Sequence, residues 1–416
     1  MNYELGFGKE KMLLSVAERN LSGVLKPNRV NVDLTGTAEV RRAIANPIGS
    51  KRLKDLVKTG EKIVIVTSDI TRPMPSKLVL PAVLAELAAA GVADSQITVV
   101  FALGSHRKHT VEEQKYLVGA DIFAKIKCVD SDPADCVHLG MTPSGTPVDI
   151  FRAVAEADRR ICLGNIEYHY FAGYSGGAKA IMPGVSTRAA IQANHSRMVE
   201  AAAKAGALDD NPVRQDIEAV AQLAPIDFIV NVVLDEQKQI IKAVAGHYRE
   251  AHRAGCQFLD RFYKVKIKQL ADIVIVAAGG YPKDINLYQA QKALDNAKHA
   301  VRPGGIIILV AACRDGLGEA VFERWMLGAA TPQSMIDRIQ SHFELGGHKA
   351  AAIAMVLRDA QIFLVSSLEA DFVRRLFMRP FVTLDEAVAQ AFVELGQDAK
   401  VLLMPYGGST LPVVAE

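Results

Sequence analysis

The chain reads as an α/β protein of two domains built on mostly parallel sheets. Three observations predict this. Short runs rich in Val, Ile and Leu recur along the 416 residues without the polar alternation of a strand that has one wet face. Longer helical stretches lie between them, which is the alternation that strand–helix–strand units require. The length exceeds one typical domain, and half of the residues are apolar, enough to fill two cores.

The predicted strands are 62–67, 97–102, 160–164 and 228–234, then 272–277, 305–310, 361–365 and 400–404. The clearest predicted helices are 75–90, 187–204, 248–263 and 287–301. The strand–helix pattern restarts after 248–263, so the domain change is expected near 265–271. Residues 1–268 form the first domain and 269–404 the second, with 405–416 expected to return to the first. Four polar segments follow strands: 68–75, 103–107, 165–179 and 279–284. In open α/β sheets ligands bind beyond the carboxyl ends of strands, so the site is expected there, in a cleft between the domains.

Composition excludes several classes of function. Acids and bases nearly balance, with 48 Lys and Arg against 46 Asp and Glu, and no basic block suggests nucleic acid. No apolar run approaches the roughly 20 residues that span a bilayer. The first ten residues carry no secretory pattern. Five scattered cysteines, with no CxxC pair, suit reduced thiols in a cytoplasm.

The densest chemistry lies in 167–185 (EYHYFAGYSGGAKAIMPGV) and in His195 shortly after it. The glycines of 173–177 (GYSGG) let backbone N–H groups approach an anion, and a following helix start adds a favourable dipole. Taken alone, Ser175, Gly176 and Gly177 also suit a plain turn. The segment is not a Walker A loop, and no GxGxxG opens the first strand, so an ordinary ATP or NAD site has little support. Lys179 lies just past the turn. A desolvated lysine near other cations is a nucleophile, whereas an ordinary lysine pairs with phosphate or solvent. His106 and His169 sit in glycine-rich loops after strands, and imidazoles there suit acid–base work. His109, His138, His247, His252, His299 and His342 are read as satisfied or surface groups. His195 has no second ligand at HxxxH or HExxH spacing, so a metal site made by protein alone is poorly supported. Asp69 and Arg72 follow a buried strand and form either an ion pair or an anion clamp. Tyr288 and Lys292 share a helix face beside Gln289.

These motifs together resemble the nickel-pincer-nucleotide lactate racemase family, which includes 2-hydroxyacid racemases and epimerases. The resemblance covers the whole chain. It rests on 68–76 (SDITRPMPS), 104–106 (GSH), 167–185, His195, 279–284 (GGYPKD), Tyr288, Gln289, Lys292 and 405–412 (PYGGSTLP). It implies that the first domain binds the cofactor, pyridinium-3-thioamide-5-thiocarboxylic acid mononucleotide, which clamps Ni(II) through two sulfurs and a ring carbon. Lys179 then matches the lysine that forms the covalent thioamide. His195 matches the fourth nickel ligand, and soft sulfur with imidazole suits planar Ni(II). The turn at Ser175, Gly176 and Gly177 would hold the phosphate, and Asp69 would orient Arg72 or Lys292 beside the cofactor. His106 and His169 match the paired acid–base histidines, while hydride leaves C2 of a 2-hydroxy acid for the cofactor and returns to the other face. Arg72 and Lys292 would anchor the carboxylate, with Tyr288 and Gln289 shaping the pocket. Separate pincer-synthesis enzymes would be maturation partners.

One departure bears on the substrate. Lactate-specific members carry a tryptophan near the segment 345–350 (LGGHKA), where His348 aligns here, and the one tryptophan of this chain is Trp325. An imidazole in place of an indole makes a more polar pocket. The substrate is therefore expected to be other than, or more than, lactate: a larger or more polar 2-hydroxy acid such as a dicarboxylate or sugar acid. The alternatives are a C2 epimerase of a sugar acid with the same cofactor, a metal-dependent hydrolase liganded by His106 and His169, and a non-catalytic cofactor-storage protein.

Overall fold

A computed structural model describes residues 2–415. The chain divides into two compact units, Val30–Asp260 and a second made of Met1–Arg29 with Arg261–Glu416.

The unit Val30–Asp260 is built on a six-stranded sheet. Its spatial order is Ile240–Gly246, Phe228–Leu234, Arg159–Asn165, Ile63–Ser68, Ile97–Ala102 and Lys127–Asp130. Only the first pair is antiparallel. Val64, Ile65, Val66, Val99, Val100 and Phe101 are all buried, so both faces of these strands are covered, which explains why the runs lack alternation. Each such side chain contributes about 1.5–3 kcal/mol on burial. The helix Ser76–Ala89 packs Val79, Leu80, Val83 and Leu87 into this core. The ends of three adjacent strands, Arg159–Asn165, Ile63–Ser68 and Ile97–Ala102, lie side by side. The loops carrying His169, Asp69 and His106 leave from those ends.

The other unit holds a second six-stranded sheet, wholly parallel. Its order is Arg379–Phe381, Ala360–Val365, Val301–Val310, Ala271–Ala277, Val401–Met404 and Leu21–Val24. Its core includes Ile273, Ile275, Ile306, Ile308, Phe363 and Leu403. All eight predicted strands are present.

Several boundaries differ from the sequence reading. Residues 1–29 group with the second unit: Leu21–Val24 pairs with Val401–Met404, and the hairpin Asn2–Phe7 with Glu10–Ser15 packs Leu5 and Leu14 on that core. Residues 405–416, expected to return to the first domain, also group with the second, where Leu411–Val414 pairs with Lys264–Ile267. Four-residue strands carry too little pattern to name their sheet. The expected helix 187–204 is α-helical only over Arg188–His195 and tightens to a 3₁₀ turn at Ser196–Val199. There Ser196 Oγ donates to the Ala193 carbonyl, a local bond that competes with the helical ladder. The helix expected over 287–301 ends at Ala297, and Val301 opens a strand. All five cysteines are free thiols. Among the described residues no helix is long and apolar enough to cross a membrane.

Candidate functional site

The loop after Ile63–Ser68 carries Asp69, which is almost fully buried. One carboxylate oxygen accepts from Thr71 Oγ1 at 2.7 Å and from the Thr71 amide at 3.1 Å. The other faces His106 Nδ1 in a short hydrogen bond. Burial pushes the Asp69 carboxyl up, but His106, Thr71 and Arg72 outweigh it and hold it below the usual range. Asp69 therefore serves His106, and the ion pair considered between Asp69 and Arg72 is not formed. With Nδ1–H donated to Asp69, the neutral His106 ring carries its lone pair on Nε2. The loop is braced by His109, whose Nε2 accepts from the Ile70 amide at 3.0 Å while its Nδ1 donates to Asp130 at 2.7 Å.

His169 is held on a two-residue antiparallel ladder, His169 opposite Gly173 and Tyr168 opposite Tyr174. The hydroxyls of Tyr168 and Tyr174 donate to Asp260 at 2.9 and 2.7 Å, so these tyrosines brace the ladder. The Ala172 amide donates to His169 Nδ1 at 3.3 Å, which puts the ring proton of the neutral form on Nε2. The two imidazoles are thus preset in opposite senses, an acceptor at His106 and a donor at His169. Loss of water around the ring, then the charges of Lys179 and Arg72, push His169 well below its ordinary range.

Phe171 ties the cluster together. Its ring meets His169 edge-on at 4.5 Å and His195 at 4.9 Å, and Lys179 Nζ lies 6.0 Å from its centroid. Lys179 is pushed well below the usual lysine range, first by burial and then by Arg214 and Arg72, with Glu167 opposing. His195 is buried near the end of the helix Arg188–His195, whose start is capped by Thr187.

The turn 173–177 is also tied into the protein around it. Gly177 N donates to Asn231 Oδ1 at 2.7 Å, Ser175 N to the Glu167 carbonyl, and Ser175 Oγ to the Asn165 carbonyl. Gly176 and Gly177 both have positive φ. A Cβ at Gly176 would meet Asn231 Oδ1 at 2.7 Å, and one at Gly177 the His252 ring at 3.0 Å. These glycines let the turn pack onto protein and so fix the start of the turn that carries Lys179. Beneath it, the buried Arg214 donates to the carbonyls of Ala172, Tyr174 and Gly176. Burial lowers Arg214 to about 10. His252 Nε2 donates to the Ser175 carbonyl at 2.8 Å, the satisfied role expected of it.

In the other unit, Tyr288, Gln289 and Lys292 stand on the helix Leu287–Ala297, capped by Asn286. Lys349, next to His348 on Gly347–Asp359, reaches the Tyr288 carbonyl and lies 3.8 Å above the Tyr288 ring. His348 is buried, its Nδ1 accepting from the Gly346 amide at 3.0 Å. Trp325 is not remote from this segment. It lies against Gly347, where a Cβ would come within 2.4 Å of the indole, and its Nε1 donates to Glu344 at 2.7 Å. Trp325 is fully buried, a core residue rather than a pocket wall.

Sequence reasoning missed Phe171, Arg214, Asn231, Asn194 and Asp216. Phe171 lies inside the motif but reads as filler. Arg214 and Asp216 sit on the helix Pro212–Ala219 with no motif of their own, and only their burial marks them. Among the described residues no group of three or more His, Cys, Asp or Glu is placed to hold a metal. A metal at His195 thus requires most of its ligands from a bound group. The donor set fits a pincer nucleotide: one imidazole, and a lysine whose lowered pKa favours the nucleophilic amine.

Comparison with known proteins bears on this arrangement. The family described as lactate racemase N-terminal domain matches residues 7–206, and lactate racemase C-terminal domain matches 266–412. The lactate racemase of Thermoanaerobacterium thermosaccharolyticum is 35% identical over 422 aligned positions, covering 99% of each chain. That of Lactiplantibacillus plantarum is 35% identical over 416, covering 97% of this chain and 98% of the relative. The solved lactate racemase apoprotein from T. thermosaccharolyticum superposes with a TM-score of 0.90 over 100% of both chains. A Thermotoga maritima protein, 18% identical with a TM-score of 0.65 over 91% of this chain and 98% of its own, shares the fold. The chain belongs to the lactate racemase family, and it is an enzyme of the isomerase class.

Proposed function

We propose that this protein is a cytoplasmic racemase of a 2-hydroxy acid that works with a nickel-pincer nucleotide. The observation that carries the reading is Lys179: an amine that shares the Phe171 ring with His169 and His195, its pKa pushed down by burial, Arg214 and Arg72. Lys179 would hold the nucleotide covalently and His195 would complete the nickel site. When bound, the cofactor supplies an electrophilic ring carbon for the C2 hydride.

The protein's own part is proton transfer and positioning. His106 Nε2 takes the substrate hydroxyl proton, and Asp69 stabilises the imidazolium that forms. His169 would serve the opposite hand of the substrate, taking the hydroxyl proton in its turn on the Nδ1 lone pair that now accepts from the Ala172 amide. Arg72 pairs with the substrate carboxylate, as would Lys292. Tyr288 and Gln289 shape the pocket, and His348 makes it more polar than an indole would. The expected substrate is accordingly a larger or more polar 2-hydroxy acid than lactate, such as a dicarboxylate or sugar acid. The alternative in which His106 and His169 ligate a hydrolytic metal is weakened because, among the described residues, no group of three or more His, Cys, Asp or Glu is placed to hold a metal.

The test is intact mass and nickel content of protein co-expressed with pincer-synthesis enzymes, with Lys179→Ala as control. A lysine-dependent adduct with about one nickel per chain is the expected result, followed by racemisation in a 2-hydroxy-acid panel. No adduct beside a working control racemase would remove the cofactor reading. Turnover of lactate alone would remove the substrate reading.

Asp69→Asn gives a second expectation. The amide can present either a donor or an acceptor to Nδ1, so the His106 tautomer is no longer fixed and its imidazolium loses a counter-charge. Turnover should fall about 10²- to 10⁴-fold with little change in KM. Unchanged kcat would show that Asp69 does not serve His106.

A further inference from the structure

We infer that Asn194 and Asp216 form a positioning chain that fixes the His195 ring in its Nδ1–H tautomer, so that Nε2 presents the lone pair to a metal. This rests on the reading of His195 as the nickel ligand, but its geometry stands independently of that reading.

His195 Nδ1 lies 2.9 Å from Asn194 Oδ1. Which end of an amide faces a ring is decided by its other partners. Asn194 Nδ2 lies 2.8 Å from Asp216 Oδ2 and 3.2 Å from the Val213 carbonyl. Both are acceptors. Flipping the amide would set Oδ1 against two acceptors and forfeit both hydrogen bonds. The amide therefore keeps Oδ1 toward His195, and an acceptor there requires Nδ1 to carry the proton.

Asp216 is itself held in place. Thr146 Oγ1 donates to its Oδ2 at 2.7 Å and Thr142 Oγ1 to its Oδ1. The two threonines are joined by a turn in which Thr142 N donates to the Thr146 carbonyl at 2.9 Å. Asn194 is 0% exposed, Asp216 and Thr146 1%, and Thr142 5%. So many satisfied polar groups in one dry place require an account, and orienting the adjacent imidazole supplies one. Partners of this kind fix the tautomer and aim of metal-binding histidines, and their loss typically weakens metal affinity about 10- to 100-fold.

The test uses the full chain labelled with ¹⁵N-histidine and made without pincer-synthesis enzymes, with His195→Gln to assign the ring signals. Nitrogen–proton couplings at about pH 8, above the ordinary histidine range, report the tautomer. The wild-type ring should be Nδ1–H. In Asn194→Ala it should move to the Nε2–H form that unrestrained imidazoles prefer. Wild-type His195 in the Nε2–H form overturns the proposal, as does an Asn194→Ala chain that stays Nδ1–H. If Asn194→Ala does not fold, the wild-type tautomer and the milder Asp216→Asn variant decide. Nickel retention in cofactor-loaded protein should fall about 10- to 100-fold in Asp216→Asn. A loaded His195→Gln protein that keeps its nickel would sink the ligand reading while leaving the tautomer result standing, so the two failures are distinguishable.

Discussion

Lys179→Met is expected to remove the covalent adduct and reduce racemisation to background while raising the melting temperature. The loss follows from chemistry, because Lys179 supplies the amine at the Phe171 cluster and methionine has none. The gain follows from linkage. The folded-state pKa of Lys179 lies well below 10.5, its ordinary value, because burial, Arg214 and Arg72 all disfavour the ammonium. Between the folded pKa and the unfolded one, the unfolded chain binds the extra proton, so stability rises with pH across that window. At neutral pH the native chain therefore bears a penalty that methionine, of similar length, does not. An increase of about 2 °C or more is expected near neutrality, narrowing toward about pH 10 as the unfolded lysine also loses its proton. Thermal melts of both chains at the two pH values check this. A variant that melts lower at neutral pH would show that Lys179 is charged and paired.

Arg214→Met should have the largest effect on stability. The guanidinium is fully buried and donates to three carbonyls of the segment that carries His169 and leads into Lys179: Ala172, Tyr174 and Gly176. Methionine fills most of the volume but leaves those carbonyls without their donor. Breaking such a buried charged network by removing one partner costs about 3–5 kcal/mol. For a unit of this size that is a fall of roughly 6–20 °C. The turn should also loosen, so exchange of the Gly176 and Gly177 amides should speed up more than that of the buried strand Ile63–Ser68. A melting point within a degree or so of wild type would mean that the carbonyls find other donors and that Arg214 is not the support of the turn.

Much of this was legible from residues alone. The runs 62–67 and 97–102 are apolar on both faces, the pattern of strands buried on both sides, so their strand character needs no tertiary information. The segments after them were marked as sites because imidazole, lysine and glycine at strand ends serve no core. Lys179, His169 and His195 were singled out on that ground, and the structure gathers them around one phenylalanine.

Partnership was not legible. Asp69 could have paired with Arg72 three residues on or with His106 at a distance of 37, and only the adjacency of two parallel strands brings the second about. The turn glycines also pack against partners that the sequence did not name: the Gly177 amide donates to Asn231, and their missing Cβ atoms make room for Asn231 and His252, 54 or more residues away. The sheet membership of 1–29 and 405–416 was likewise a matter of which edges were left to pair. By itself the sequence determined the α/β class, the strand runs and the residues with no reason to be core, because burial period and residue chemistry are local properties. The tertiary structure alone decided what each of those residues faces, because a hydrogen-bond partner or a buried charge is set by strands and helices that are far apart in the chain.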